Sequence, residues 1–169
     1  MNSGVFGPVL HDNFQGHWSR LFIDKITDKV KLVDTTIVAL PRQHAGKYVP
    51  KIEVFFFMTD KIGLNILIRK KKIFMNHKNK YSAIVNGEYG LSKCILDHGY
   101  TIDCMLPRYQ GINWRNSENY KMNNNKHPSR KNSFYKTSIN PYEVIFHKWF
   151  WHGKERVNFR VIDFLNDKN

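Results

Sequence analysis

The residues Val85-Asn-Gly-Glu88-Tyr-Gly-Leu-Ser-Lys-Cys-Ile-Leu-Asp97-His-Gly99-Tyr-Thr-Ile-Asp-Cys-Met-Leu-Pro-Arg108-Tyr-Gln-Gly-Ile112 change periodicity half-way along. Between Glu88 and His98 the apolar side chains Leu91, Ile95 and Leu96 recur at helical spacing, and Gly99 stands where a left-handed C-terminal cap belongs. From Tyr100 to Leu106 the pattern alternates as in a strand. The spacing therefore predicts a helix that turns sharply into a strand. Glu88 opens that helix in this reading, where free N–H groups and the helix dipole favour a carboxylate and fix its direction. A carboxylate so held is a candidate general base; the plainer reading is a first-turn Glu that only stabilises the helix.

Working outward, Trp18, Leu21, Phe22 and Ile26 share a helical face between His17 and Asp28, and Val30 to Leu40 reads as a β-branched strand closed by Pro41. Arg42 to Pro50 is a polar loop, and the aromatic run Ile52 to Met58 reads as a strand buried on both faces. Thr59 is placed as the cap of a helix through Ile68. Gly63 within it costs about 1 kcal/mol relative to Ala, which points to a close helix-to-sheet approach. Lys70 to Tyr81 reads as a basic connection with a short extended piece.

Arg115 to Ser138 turns to Asn, Lys, Ser, Tyr and His with few aliphatic residues, and is expected to form a mobile loop over 115–138. Asn140-Pro141 supplies a cap and first turn for a short helix through Phe146, with Trp149, Phe150 and Trp151 extending its apolar surface. Arg156 to Leu165 fits either an edge strand or a docked helix. The glycine- and proline-bearing start, Met1 to Leu10, suits a loop packed on the core. The fold expected for residues 1–169 is a single α/β domain, a mixed sheet flanked by helices.

Composition bounds the function. At 169 residues with 41% hydrophobic and 14% aromatic content, the chain can bury roughly two-thirds of its unfolded surface. Cys94 and Cys104 are too few for a disulfide framework and lack the spacing of a zinc site, so they read as reduced core thiols. The eight histidines include no helical pair at ligand spacing with a Glu. No apolar run is long enough to span a bilayer, which gives a cytoplasmic expectation. Twenty-seven Lys and Arg against 14 Asp and Glu give a net charge of +13, spread widely, with one dense cluster at Arg69 to Lys72 and a second basic region from Lys121 to Lys136. That charge attracts polyanions, anionic lipid heads or phosphorylated small molecules.

Several segments together resemble one family: Asn2-Ser3 through Phe6-Gly7-Pro8, Val30 to Ile37, Phe56-Phe57-Met58-Thr59-Asp60-Lys61-Ile62-Gly63-Leu64, Glu88-Tyr-Gly-Leu-Ser, Ile102-Asp-Cys-Met-Leu-Pro-Arg-Tyr-Gln-Gly111 and Pro141-Tyr-Glu-Val-Ile-Phe146. They are similar to the C-terminal part of GT-A-like glycosyltransferases linked to capsule and rhamnan polysaccharide synthesis, also found in large DNA viruses. The resemblance covers roughly Asn2 to Lys148. It implies transfer of a sugar from a nucleotide-sugar donor to an acceptor hydroxyl, with Mn or Mg often bridging the diphosphate.

On that resemblance Asn2 and Ser3 fall where the family places an acidic metal-binding motif, and Glu88 is the candidate catalytic base on the acceptor side. Asn and Ser lack the carboxylate charge that holds a hard cation. Asn140 stands where the family has His, a further candidate contact to donor or phosphate, and Arg108 and Lys93 are candidates for the diphosphate. Asp60 and Asp103 are weaker candidates that can equally satisfy local backbone groups. The family's N-terminal half is not matched, so a companion chain supplying it is an expected partner beside nucleotide sugar and glycan acceptor. Two other readings stay open: a non-catalytic carbohydrate-binding or interaction domain, and a basic nucleic-acid-binding protein, against which the burial of the aromatic runs argues.

Overall fold

The computed structural model describes residues 4–41 and 50–148, and the backbone of 150–151 and 155–156. Asn2, Ser3, the polar loop 42–49, Trp149 and the segment 157–165 lie outside the described residues. The architecture is mixed α/β, with small sheets between helices. At its centre β2 (Val30–Asp34) pairs antiparallel with β5 (Met58–Thr59) and parallel with β6 (Thr101–Cys104), the latter being the alternating strand expected from the sequence.

β2 is buried on both faces because its neighbouring side chains serve two different cores. Leu32 joins Ile102, Leu67, Leu91 and Ile95 beneath α2 (Lys61–Arg69) and α4 (Gly90–Asp97). Val33 joins Phe22 of α1 (Ser19–Ile23), Ile145 and Phe146 on the other side. The β-branched run bends at Thr35 and Thr36, so β3 (Ile37–Val38) separates from β2 and pairs with β4 (Lys51–Ile52).

The aromatic run after Ile52 is not the buried strand its composition suggests. Residues 54–57 turn, and only Met58–Thr59 returns to the sheet. The turn is fixed by its rings: Phe56 stacks on Phe146 at 4.8 Å and lies 4.5 Å from Phe22, so aromatic packing replaces strand pairing. The same cluster takes in Trp18, edge-on to Phe146 at 5.0 Å. β1 (Val5–Phe6) gives the N-terminal segment a strand against β7 (His147–Lys148). β8 (Phe150–Trp151) pairs with β9 (Glu155–Arg156), so these aromatics belong to a strand and not to a helical surface. The short helix expected after Asn140 forms as α5 (Pro141–Val144).

Asp60, not Thr59, caps α2: its Oδ1 accepts the Gly63 N–H at 2.8 Å, while Thr59 donates to the Lys31 carbonyl at 2.6 Å. Gly63 has the reason its sequence position implied. A Cβ there would meet the Lys31 carbonyl oxygen at 2.6 Å and overlap the Thr59 hydroxyl. Gly63→Ala is therefore expected to destabilise the fold by about 1–3 kcal/mol in urea unfolding, although Ala is the better helix former. A stabilised variant would refute the close approach.

The helix bearing Glu88 begins earlier than its apolar spacing indicates. It starts at α3 (Lys80–Ser82), where the Asn79 side chain accepts the Ser82 N–H at 2.9 Å. It widens into a π-helical stretch over Ala83–Tyr89 and continues as α4. Glu88 is therefore mid-helix and has no free first-turn amides around it. Asn86 and Gly87 are weak helix formers yet lie inside this helix, and His77 packs against Gly87, where a Cβ would stand 3.3 Å from its Nε2.

The segment 115–138 contains 3-10 turns within Ser117–Asn125, kinked at Met122, Asn123 and Asn124, and returns buried groups to the core: His127, Ser129 and Phe134. Its anchors are polar or aromatic, which a count of aliphatic residues does not register. Asn123 adopts φ 56° and ties the loop by donating to the Lys126 carbonyl and accepting the Tyr135 N–H.

Candidate functional site

The carboxyl end of a parallel strand pair is where an α/β sheet leaves backbone and side chains free to meet a ligand. β2 ends there in Asp34, fully buried, whose Oδ1 accepts both the N–H and the hydroxyl of Thr35. Its Oδ2 has no hydrogen-bond partner among the described residues. Burial, reinforced by the charge of Glu53, pushes the Asp34 acid well above the ordinary carboxylate range, so its neutral form is favoured.

β4 contributes alternate residues to the same region. Ile52 enters the core and donates its N–H to Ser92 Oγ at 2.9 Å, which clamps the strand to α4. Lys51 and Glu53, one residue to either side, carry the charge. Glu53 lies 3.1 Å from His127 Nε2 and accepts the hydroxyls of Ser129 and Thr36. Burial alone would raise its pKa; His127, Lys51 and Ser129 outweigh that and bring it down to about 2.

Lys51 reaches in the other direction, to Glu88 Oε2 at 2.8 Å, with its ammonium 5.4 Å from the Tyr89 ring centre. Burial opposes its charge, but Glu88 and Glu53 more than compensate and raise its pKa above the usual lysine value. The ion pair is asymmetric in exposure: the Lys51 side chain is 9% accessible and that of Glu88 30%. Glu88 is thus the outward-facing carboxylate of an otherwise enclosed group, set in place by the π-helical turn. Nearby, burial lowers the pKa of His147, whose ring carries a hydrogen bond to the Lys148 carbonyl.

The other residues singled out from the sequence have local engagements. Exposed Arg108 lies over the Tyr135 ring at 4.1 Å. Asn140 caps α5 by accepting the Tyr142 N–H at 3.1 Å. Lys93 pairs with Asp97 one turn away, Asp60 with Lys31, and Asp103 with Lys25. Asn2 and Ser3 lie outside the described residues; among the described candidates only Glu88 joins the buried cluster. Cys94 and Cys104 are buried free thiols, each with its pKa raised by burial.

Among the described residues, no three His, Cys, Asp or Glu side chains gather as a metal-binding group. Within the cluster, the Glu53 carboxylate is engaged by His127, Ser129 and Thr36.

Asp34, Lys51, Glu53, His127 and Ser129 are missing from the sequence-derived site. Asp34 and Glu53 did carry a signal: each is a carboxylate inside a run that otherwise reads as buried strand, and a buried acid demands partners. His127 and Ser129 carried none, because nothing in a polar loop indicates which residues turn inward. Comparison with protein-family models, with curated proteins and with solved structures finds no match.

Proposed function

We propose that the chain is a sugar transferase of the GT-A-like kind, moving a sugar from a nucleotide-sugar donor to an acceptor hydroxyl, with Glu88 as the base. The observation that carries the reading is the 30% accessible Glu88 carboxylate, anchored at 2.8 Å by nearly enclosed Lys51. The segments that carry the resemblance support it by their positions: Val30 to Ile37 brings Asp34 and Thr36 to the cluster, and Glu88 to Ser92 brings the carboxylate and the clamp on Ile52.

The chemistry asks little more of Glu88 than position. As the acceptor oxygen attacks the anomeric carbon, its proton passes to the carboxylate and the bond from that carbon to the diphosphate breaks, the nucleoside diphosphate leaving with the electron pair. Lys51 keeps the carboxylate from swinging away. Mn or Mg enters only as a condition to be varied, and no step depends on it.

Thermal melting with a panel of nucleotide sugars, with and without manganese, is expected to raise the midpoint for one donor class, because a ligand that binds only the native state stabilises it. Glu88→Gln keeps the volume and an acceptor for Lys51. It is expected to preserve folding and donor binding while lowering the transfer rate roughly 100- to 10,000-fold. No midpoint shift with any donor would overturn the reading. Glycan binding that survives Glu88→Gln without any transfer would assign the fold to carbohydrate recognition instead.

A further inference from the structure

Between Lys61 and Gly87 the chain carries seven Lys and Arg residues and no Asp or Glu. Lys61, Arg69, Lys70, Lys71, Lys72, Lys78 and Lys80 are all exposed, and none has a carboxylate partner among the described residues. The same stretch holds six of the seven large hydrophobic side chains exposed among the described residues: Ile62, Leu64, Ile68, Phe74, Met75 and Tyr81. Leu64 and Ile68 stand one turn apart on α2, about 100° round the helix from its buried Gly63 and Leu67.

The stretch is built rather than frayed. Ile73 enters the core, donates its N–H to the Lys70 carbonyl at 3.0 Å and accepts from His77 Nε2 at 3.2 Å. That anchor leaves Lys70, Lys71 and Lys72 on one side of Ile73, and Phe74 and Met75 on the other, facing water.

We infer that the surface of residues 61–81 docks on an anionic lipid bilayer. Charge complementarity chooses the partner's sign, and the apolar side chains choose its kind. A nucleic acid rewards cations and stacking rings but offers nothing to Ile62, Leu64, Ile68 and Met75, whereas the boundary of a bilayer takes aliphatic groups between its head groups while the phosphates take the lysines. No helix among the described residues is long and apolar enough to cross a membrane, so the contact is peripheral. Its reversible strength comes from combining the two weak attractions.

The test is co-sedimentation of the full chain with phosphatidylcholine vesicles, with and without phosphatidylserine, at low and high salt. Binding to the serine-containing vesicles that weakens with salt is expected. Replacing Lys70→Gln, Lys71→Gln and Lys72→Gln together is expected to lower the partition roughly a hundredfold, at roughly fivefold per cation. The pair Ile68→Ser and Phe74→Ser, which leaves charge untouched, is expected to lower it roughly tenfold. All five side chains are exposed, so both variants should keep the parent's melting midpoint, and that midpoint serves as the folding control. Absence of vesicle binding at low salt would overturn the inference. So would unchanged binding of the serine pair, or displacement from vesicles by a single-stranded oligonucleotide as strongly from that pair as from the parent, since the face would then be a polyanion site.

Discussion

Glu53→Gln is expected to cost the fold about 3 kcal/mol at neutral pH and almost nothing near pH 2. The folded carboxyl titrates at about 2 against 4.5 for the ordinary group, because His127, Lys51 and Ser129 together overcome the cost of burying its charge. A carboxyl whose folded pKa is depressed contributes stability that is complete above its unfolded value and disappears as pH falls through its folded one. The parent should therefore lose its advantage over the variant between about pH 4.5 and 2. Asp34 acts with the opposite sign: its raised folded pKa contributes stability that is complete below the ordinary carboxylate range and is lost as pH rises. Removing the Glu53 charge also relieves part of the upward push on Asp34, so the difference between the urea-unfolding free energies of the two chains reads Glu53 together with its coupling to Asp34. Parallel pH profiles would show that its charge is not what the pocket holds.

Lys51→Met should cost about 2–4 kcal/mol at pH 7, read as a lowered urea midpoint with an unchanged slope. Methionine fills the stem of the lysine but leaves the Glu88 carboxylate without its ion partner and Glu53 without one of the charges that lower its pKa. Breaking a fully buried pair costs about 3–5 kcal/mol; the lower range here follows from Glu88 being 30% exposed, which lets water take over part of the role of the ammonium. Adding Glu88→Gln to Lys51→Met should recover part of the loss, a coupling of about 1–3 kcal/mol that a double-mutant cycle reads directly. Strictly additive effects would mean that the two side chains are neighbours without being partners.

The regular elements were legible where one physical cause set both sequence and structure. Leu91 and Ile95 recur because α4 buries one stripe, Ile102 and Cys104 alternate inward because β6 is half-covered, and Asn140-Pro141 caps and starts a helix. Gly63 announced a contact whose partner only the fold reveals. The illegible parts are those where long-range packing overrules local preference. Phe55 to Phe57 favours a strand locally and forms a turn because Phe22, Trp18 and Phe146 offer rings to pack on. The helix start at Lys80 was hidden by Asn86 and Gly87. Glu88 was singled out from the sequence for a cause the fold does not supply: a lysine 37 residues upstream pairs with it, and no helix terminus lies beside it.

The wide turn over Ala83–Tyr89 makes angular phase a part of the site. Each residue of a regular helix advances the side-chain direction by about 100°, and a π-helical turn spends one residue more than an α-helical one. A chain shortened by a single residue there would still possess an Asn79 start and a Leu91 and Ile95 stripe, yet its two halves would be rotated against each other. Whether the carboxylate and the ammonium meet is thus written in the number of residues between two anchors, a quantity that leaves composition and charge almost untouched.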